Sequence, residues 1–244
     1  VIAQVRAELL KVRSTRTTLG LLLGMVALIL LFSLLTALLS HADSISSTED
    51  QRQLLSIGDL SGLFSALAGV LLVTSEYRYG TIRPTFLFTP RRPRVLVAKL
   101  VAGLLAGIVF GVIGESLGFL LGYVILDARG ISFSLGGGDV VLLLLGTFAG
   151  TALWGAMGVG LGAILRNQVG AVITLLAWGF IVDNLLFGLV PSVGRFTPTR
   201  AQDGLIGLTT EHLLSPAAGG LTLVAWMVVL AVIGLPLVTR RDVT

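Results

Sequence analysis

The residues able to do chemistry in this chain are few, and their placement is specific. Glu115 and Asp183 are the only acids well inside long apolar runs, and Asn184 follows the second. A carboxylate at membrane depth is costly unless it faces protein, water or a partner. Two roles stand for each: polar lining of a transport pathway or its gate, or a structural hydrogen bond between helices. For Asp183 the structural role includes solvation near a surface. A second constellation is SEYRYGTIRPTFLFTPRRPR, residues 75–94, which gathers six charged residues between two apolar runs. Thr81 is a fitting N-cap and Pro84 falls in the first turn, where its missing N–H costs little. Pro90 and Pro93 then stop the helix. A short helix over 81–89 presents Phe86, Leu87 and Phe88 with Arg91, Arg92 and Arg94 behind them, which is knobs for a partner's pocket and charges to orient it. The same residues also suit a membrane-surface turn, with arginines on lipid phosphates.

Other chemistries lack their residues. Without cysteine there is no thiol nucleophile, disulfide or Cys-based metal site. His41 and His212 are isolated and form no H-E-x-x-H, and Ser61 in GDLSG has no histidine within a span to activate it. No phosphate loop of the G-x-x-x-x-G-K-[ST] type occurs; the two lysines, Lys11 and Lys99, lie outside Gly-rich loops. GAMGVGLGAIL has the wrong spacing for a dinucleotide fingerprint. The chain is read as a non-enzyme with no cofactor or metal of its own and no nucleic-acid partner.

Apolar helices must hold these residues. With 55% apolar and 12% charged residues, the 244-residue chain is unlike a soluble domain, whose charged share is ~25%. Six runs approach the ~20 residues that cross a bilayer: 19–39, 60–75, 100–126, 140–165, 169–190 and 221–238. The second is short and is expected to extend back through Leu54, with Asp59 near its start. The first lacks a small-residue cleavage pattern and is read as an uncleaved span.

Basic residues alternate between connections. Arg6, Lys11, Arg13 and Arg16 precede the first span; Arg78, Arg83, Arg91, Arg92, Arg94 and Lys99 flank the hinge; Arg166, Arg240 and Arg241 follow. These are thirteen of the 17 basic residues, so both termini and the hinge are expected on the cytoplasmic side. The expected architecture is a single all-α integral membrane domain, 1–244, with six transmembrane helices, in the cell membrane. Ile2, Val5, Leu9 and Val12 are spaced for an amphipathic interfacial helix over 1–16; the other reading of the stretch is a basic topogenic tail without fixed structure. The outer segment 191–220, broken by Pro191, Pro198 and Pro216, reads either as short helices dipping into the outer leaflet or as a surface loop.

Gly103, Gly107, Gly111, Gly114, Gly118 and Gly122 fall on one arc of the third span, a smooth stripe for close helix packing. Glu115 lies about 20° beyond that arc and faces the bundle. Rise per residue puts Glu115 and Asp183 at similar heights, roughly 22–24 Å above the cytoplasmic interface.

EYRYGTIRPTFLFTPRRPRVLVAKL resembles the region after the second span in membrane subunits of ATP-binding-cassette exporters, the type-2 permease superfamily. Six spans, an interfacial helix, both ends inside and a broken outer segment extend the likeness over most of the chain, which is similar to the compact actinobacterial kind beginning AELLKVRSTRTTLGLLL. The resemblance implies that the helix over 81–89 is a coupling helix in the segment 76–94. Its ATPase-docking surface would comprise Glu76, Gly80, Thr81, Arg83, Phe86, Leu87, Phe88, Arg91 and Arg92, with Lys99 as the family's basic residue at the foot of the third span. Re-entrant outer helices would lie in 191–220. ATP and Mg would sit on a separate ATPase subunit, and a second permease subunit, a copy or a relative, would complete the pathway for an amphiphilic substrate such as a drug, antibiotic, lipid or peptide. The rival from the residues alone is an ion-coupled secondary transporter or channel using Glu115 and Asp183.

Overall fold

The computed structural model describes residues 2–40, 45–82 and 92–240, with backbone alone at 92 and 238–240. Every regular element among them is helical: α1 (Ile2–Ser14), α2 (Arg16–Leu39), α3 (Thr48–Leu55), α4 (Ser61–Arg78), α5 (Arg92–Ala128), α6 (Gly137–Leu165), α7 (Gln168–Leu189), α8 (Pro191–Gly194), α9 (Pro198–Leu205) and α10 (Pro216–Arg240). Six are long and apolar enough to cross a membrane: α2, the unit Thr48–Arg78, α5, α6, α7 and α10 up to Leu237. The protein is a multi-pass membrane protein of the all-α class.

The second span runs back past Asp59 as expected, but as α3, a 3₁₀ turn (Ser56–Leu60) and α4 in series. Backbone contact fixes that break. A β-carbon at Gly118 would lie 2.4 Å from the Gly58 nitrogen, so the turn rests directly on α5. Lower on the same stripe, a β-carbon at Gly107 would lie 2.4 Å from the Thr151 carbonyl oxygen of α6. The glycine arc therefore serves two neighbours, α6 towards the N-terminal half of α5 and the second span towards its C-terminal half. Such close approach replaces the hydrophobic drive that lipid does not supply.

Half or more of the second, third and fourth spans is buried, against less than a fifth of α2, α7 and α10. The former make the core, where Ala66, Val70, Trp154, Met157 and Val159 are buried. The latter three carry broad apolar faces outward, including Leu23 and Leu34 on α2, Ile173 and Phe180 on α7, and Val228 and Val232 on α10.

α1 forms where expected, but its inward face differs from the expected one. Ile2 is 75% exposed, whereas Glu8 is 4% exposed and Leu9 and Val12 pack beside Leu72 and Leu96. The inward stripe is Val5, Glu8, Leu9 and Val12, because an ion pair and not Ile2 anchors the helix. In the outer segment the three prolines open α8, α9 and α10, and α9 lies against α6 and α10 with Ala201, Gln202 and Ile206 buried.

Candidate functional site

Where α1 meets the end of α4 and the start of α5, both lysines of the chain meet two glutamates. Lys99 Nζ, 2% exposed, donates to Glu8 Oε2 at 2.8 Å, to Glu76 Oε1 at 2.9 Å and to the Leu72 carbonyl at 3.1 Å. Its three N–H groups are thus all used. Lys11 Nζ donates to Glu8 Oε1 at 2.9 Å and to Glu76 Oε1 at 2.6 Å. Two cations face two anions, so the cluster is neutral. Burial pulls the Lys11 pKa down, but its hydrogen bonds to Glu76 and Glu8 and their charges outweigh it, and the net shift is upward.

This cluster is built by three elements. Glu76 sits in the last turn of α4, Lys99 about two turns into α5, and Glu8 and Lys11 one turn apart on α1. Glu76 and Lys99 are the two arms flanking the hinge, so α1 is tied to both arms at once. α4 ends at Tyr79 because Gly80 takes φ +70, a left-handed turn that suits glycine. Thr81 follows in the exposed turn. Arg83, Phe86, Leu87, Phe88 and Arg91 lie outside the described residues, as does the Arg92 side chain. Of the predicted docking residues, Glu76 points inward into the ion cluster at 5% exposure.

A second polar group occupies the opposite half of the bundle. Glu115 is fully buried, as its position beside the glycine arc foretold. Neither of its carboxyl oxygens makes a hydrogen bond of good geometry among the described residues, although the Thr147 hydroxyl lies close by. Around it, Thr151 Oγ1 donates to the Thr147 carbonyl at 2.6 Å, Ser65 Oγ donates to the Thr151 carbonyl at 2.8 Å, and Ser61 shares a hydroxyl contact with Thr151 at 3.4 Å. Ser61 therefore belongs to a hydroxyl ladder between α4 and α6. Gln202 Nε2, on α9, reaches in to donate to Asp59 Oδ1 at 2.7 Å.

Asp183 is buried too, so solvation does not explain it. Its Oδ2 accepts from the Thr199 N–H at 3.2 Å, a charge set at the N-terminus of α9. Arg200 completes the join, donating to Asn184 Oδ1 at 2.7 Å and to Asp203 Oδ2 at 2.9 Å. Asp203 has its pKa raised by burial, against the opposing pull of Arg200. Glu115 and Asp183 thus belong to different settings, one within the core and one holding the outer segment. Farther out, Arg52 donates to Asp139 Oδ1 at 2.5 Å and to the Gly207 carbonyl at 2.8 Å, tying the second span to α6 and the outer segment.

Sequence reasoning missed Glu8, Gln202 and Arg52 as members of these clusters. The signal for Glu8 was its position: a single acid on an otherwise basic helix, in a chain with only two lysines to pair. Comparison with protein-family models and with characterised proteins gives no match for this chain. Function is therefore argued from the residues and their geometry.

Proposed function

We propose that this chain is the permease subunit of an ATP-binding-cassette exporter, carrying an amphiphilic substrate and docking a separate ATPase at the hinge 76–94. The observation that carries the reading is the clamp Glu8–Lys99–Glu76–Lys11, which joins both arms of the hinge to α1. A push on residues 81–89 from a closing ATPase would then move α4, α5 and α1 together. The glycine contacts behind them pass that motion to α6 as a unit, since packed backbones do not yield. Outward apolar faces on α2, α7 and α10 supply area for lipid and for a second permease subunit, a copy or a relative. In this reading 191–220 is a re-entrant outer cover, the N-terminal helix is interfacial, both termini are cytoplasmic, and ATP and Mg belong to the partner. No step of hydrolysis falls to this chain.

The test is a double substitution, Phe86→Ala with Phe88→Ala. Membrane insertion is expected to persist while ATPase stimulation and co-purification of the ATPase are lost; unchanged stimulation contradicts the docking role. A second reading, an ion-coupled transporter, is favoured by one observation: Glu115 is buried with both oxygens short of hydrogen-bond partners among the described residues. Transport that needs no ATP, collapses with the proton gradient and is abolished in Glu115→Gln would select it.

A further inference from the structure

A crevice of about 580 Å³ opens at the cytoplasmic end between α2, α4 and the start of α7. Its floor is apolar, with Leu21, Ala68 and Leu71. From Ser75 at the rim to Ala68 on the floor is seven residues of helix, roughly 10 Å. Its rim is polar and uncharged in sum. Thr15 donates to the Val12 carbonyl at 3.5 Å, so in its 2.9 Å contact with Thr18 it accepts, and the Thr18 oxygen keeps lone pairs with which to accept. Ser75 donates to the Leu71 carbonyl at 2.6 Å, which leaves its oxygen free to accept. Gln168 accepts from Arg78 at 3.3 Å through its carbonyl, which leaves its amide N–H groups to donate. Lys11 and Glu76 also line the crevice, and as a pair their charges cancel.

We infer that this crevice binds an amphiphile of the cytoplasmic leaflet whose head group is uncharged and rich in hydroxyls, as in a glycosyl diacylglycerol. The role as a substrate site rests on the transport reading above; the binding itself does not. Three features set the ligand class. The donors and acceptors at the rim match hydroxyls, which both give and take hydrogen bonds. The apolar floor matches an acyl chain or comparable apolar body. The paired charges disfavour an anionic head group, because Glu76 lines the crevice beside Lys11 and, with Glu8, cancels the attraction the lysines would offer a phosphate. Access from lipid follows from α2, which forms one wall and has outward residues such as Leu19 and Leu23 well exposed.

The test uses the purified full chain in nanodiscs of phosphatidylcholine, with fluorescence polarisation of two labelled probes of identical chains, a diglucosyl diacylglycerol and a phosphatidylglycerol. The glucosyl probe is expected to bind about tenfold tighter, the worth of one or two hydrogen bonds. Thr18→Val with Ser75→Ala should remove most of that preference while leaving the monodisperse fold, since Ser75 makes only an intrahelical bond. A second variant, Leu71→Trp, fills the floor and should weaken both probes. Equal binding of the two probes by the parent chain, or a preference unchanged in Thr18→Val with Ser75→Ala, overturns the site. The two readings fail separately: an ATPase partner stimulated by the chain without head-group selectivity sinks the site alone, whereas selectivity without any ATPase partner sinks the exporter alone.

Discussion

Lys99 at the foot of α5 and Glu8 on α1 stand 91 residues apart in the chain and meet at 2.8 Å, both buried. The contact makes the N-terminal helix part of the bundle. It also sets the cost of breaking it, because without Glu8 two lysines share Glu76 alone and the cluster carries an uncompensated charge.

Glu8→Ala should lower unfolding stability by about 1.5–3 kcal/mol, the worth of a hydrogen bond to a charged group, since Lys99 keeps Glu76 and the Leu72 carbonyl. Thermal unfolding in detergent measures it. The double variant Glu8→Ala with Lys99→Met should be closer to the parent than Glu8→Ala alone, since no charge is then left unpaired.

Lys11 gives a pH signature. Its pKa is raised above the ordinary 10.5, so its contribution to stability is fully present below pH 10.5 and is lost as pH rises through the higher folded value. Melting temperature followed above pH 10.5 should fall more steeply in the parent than in Lys11→Met; parallel curves would remove Lys11 from the clamp's energetics.

Gly107→Val should prevent folding, because its side chain would have to occupy the Thr151 backbone. Gly20→Ala, which meets nothing within 4 Å, should be neutral or slightly stabilising. Expression with size-exclusion chromatography separates the two outcomes.

The chain has no cysteine, which makes single-cysteine labelling clean. Tyr79→Cys should react with a membrane-impermeant maleimide only in inverted vesicles, and Thr210→Cys only in intact cells. Labelling of both from one side would overturn the orientation drawn from the basic residues.

Much of this architecture was legible in sequence because lipid imposes a simple rule. A helix that crosses must be apolar for its length, and the six runs match the six candidate spans among the described residues, the second starting twelve residues and the third seven residues earlier than its run. The Gly103 to Gly122 spacing gave the packing face of α5, since a stripe of absent side chains has one geometric use. It could not say that the stripe meets two partners, because the 3₁₀ turn at Gly58 depends on tertiary contact. Glu115 was placed towards the bundle correctly. Asp183 was not resolved, as its partner, the Thr199 N–H, is a backbone group with no signature in sequence. Glu8 was hidden by its setting: the periodicity of Ile2, Val5, Leu9 and Val12 favoured an apolar face, while a buried ion cluster decided the orientation.

The most direct test of the exporter reading is to tag the chain, extract it in mild detergent and identify what accompanies it. A separate ATP-binding-cassette protein in roughly equal amount, with vanadate-sensitive ATPase activity that falls in Phe86→Ala with Phe88→Ala, is the expected result. The chain alone, or with copies of itself only, would contradict it and turn attention to Glu115.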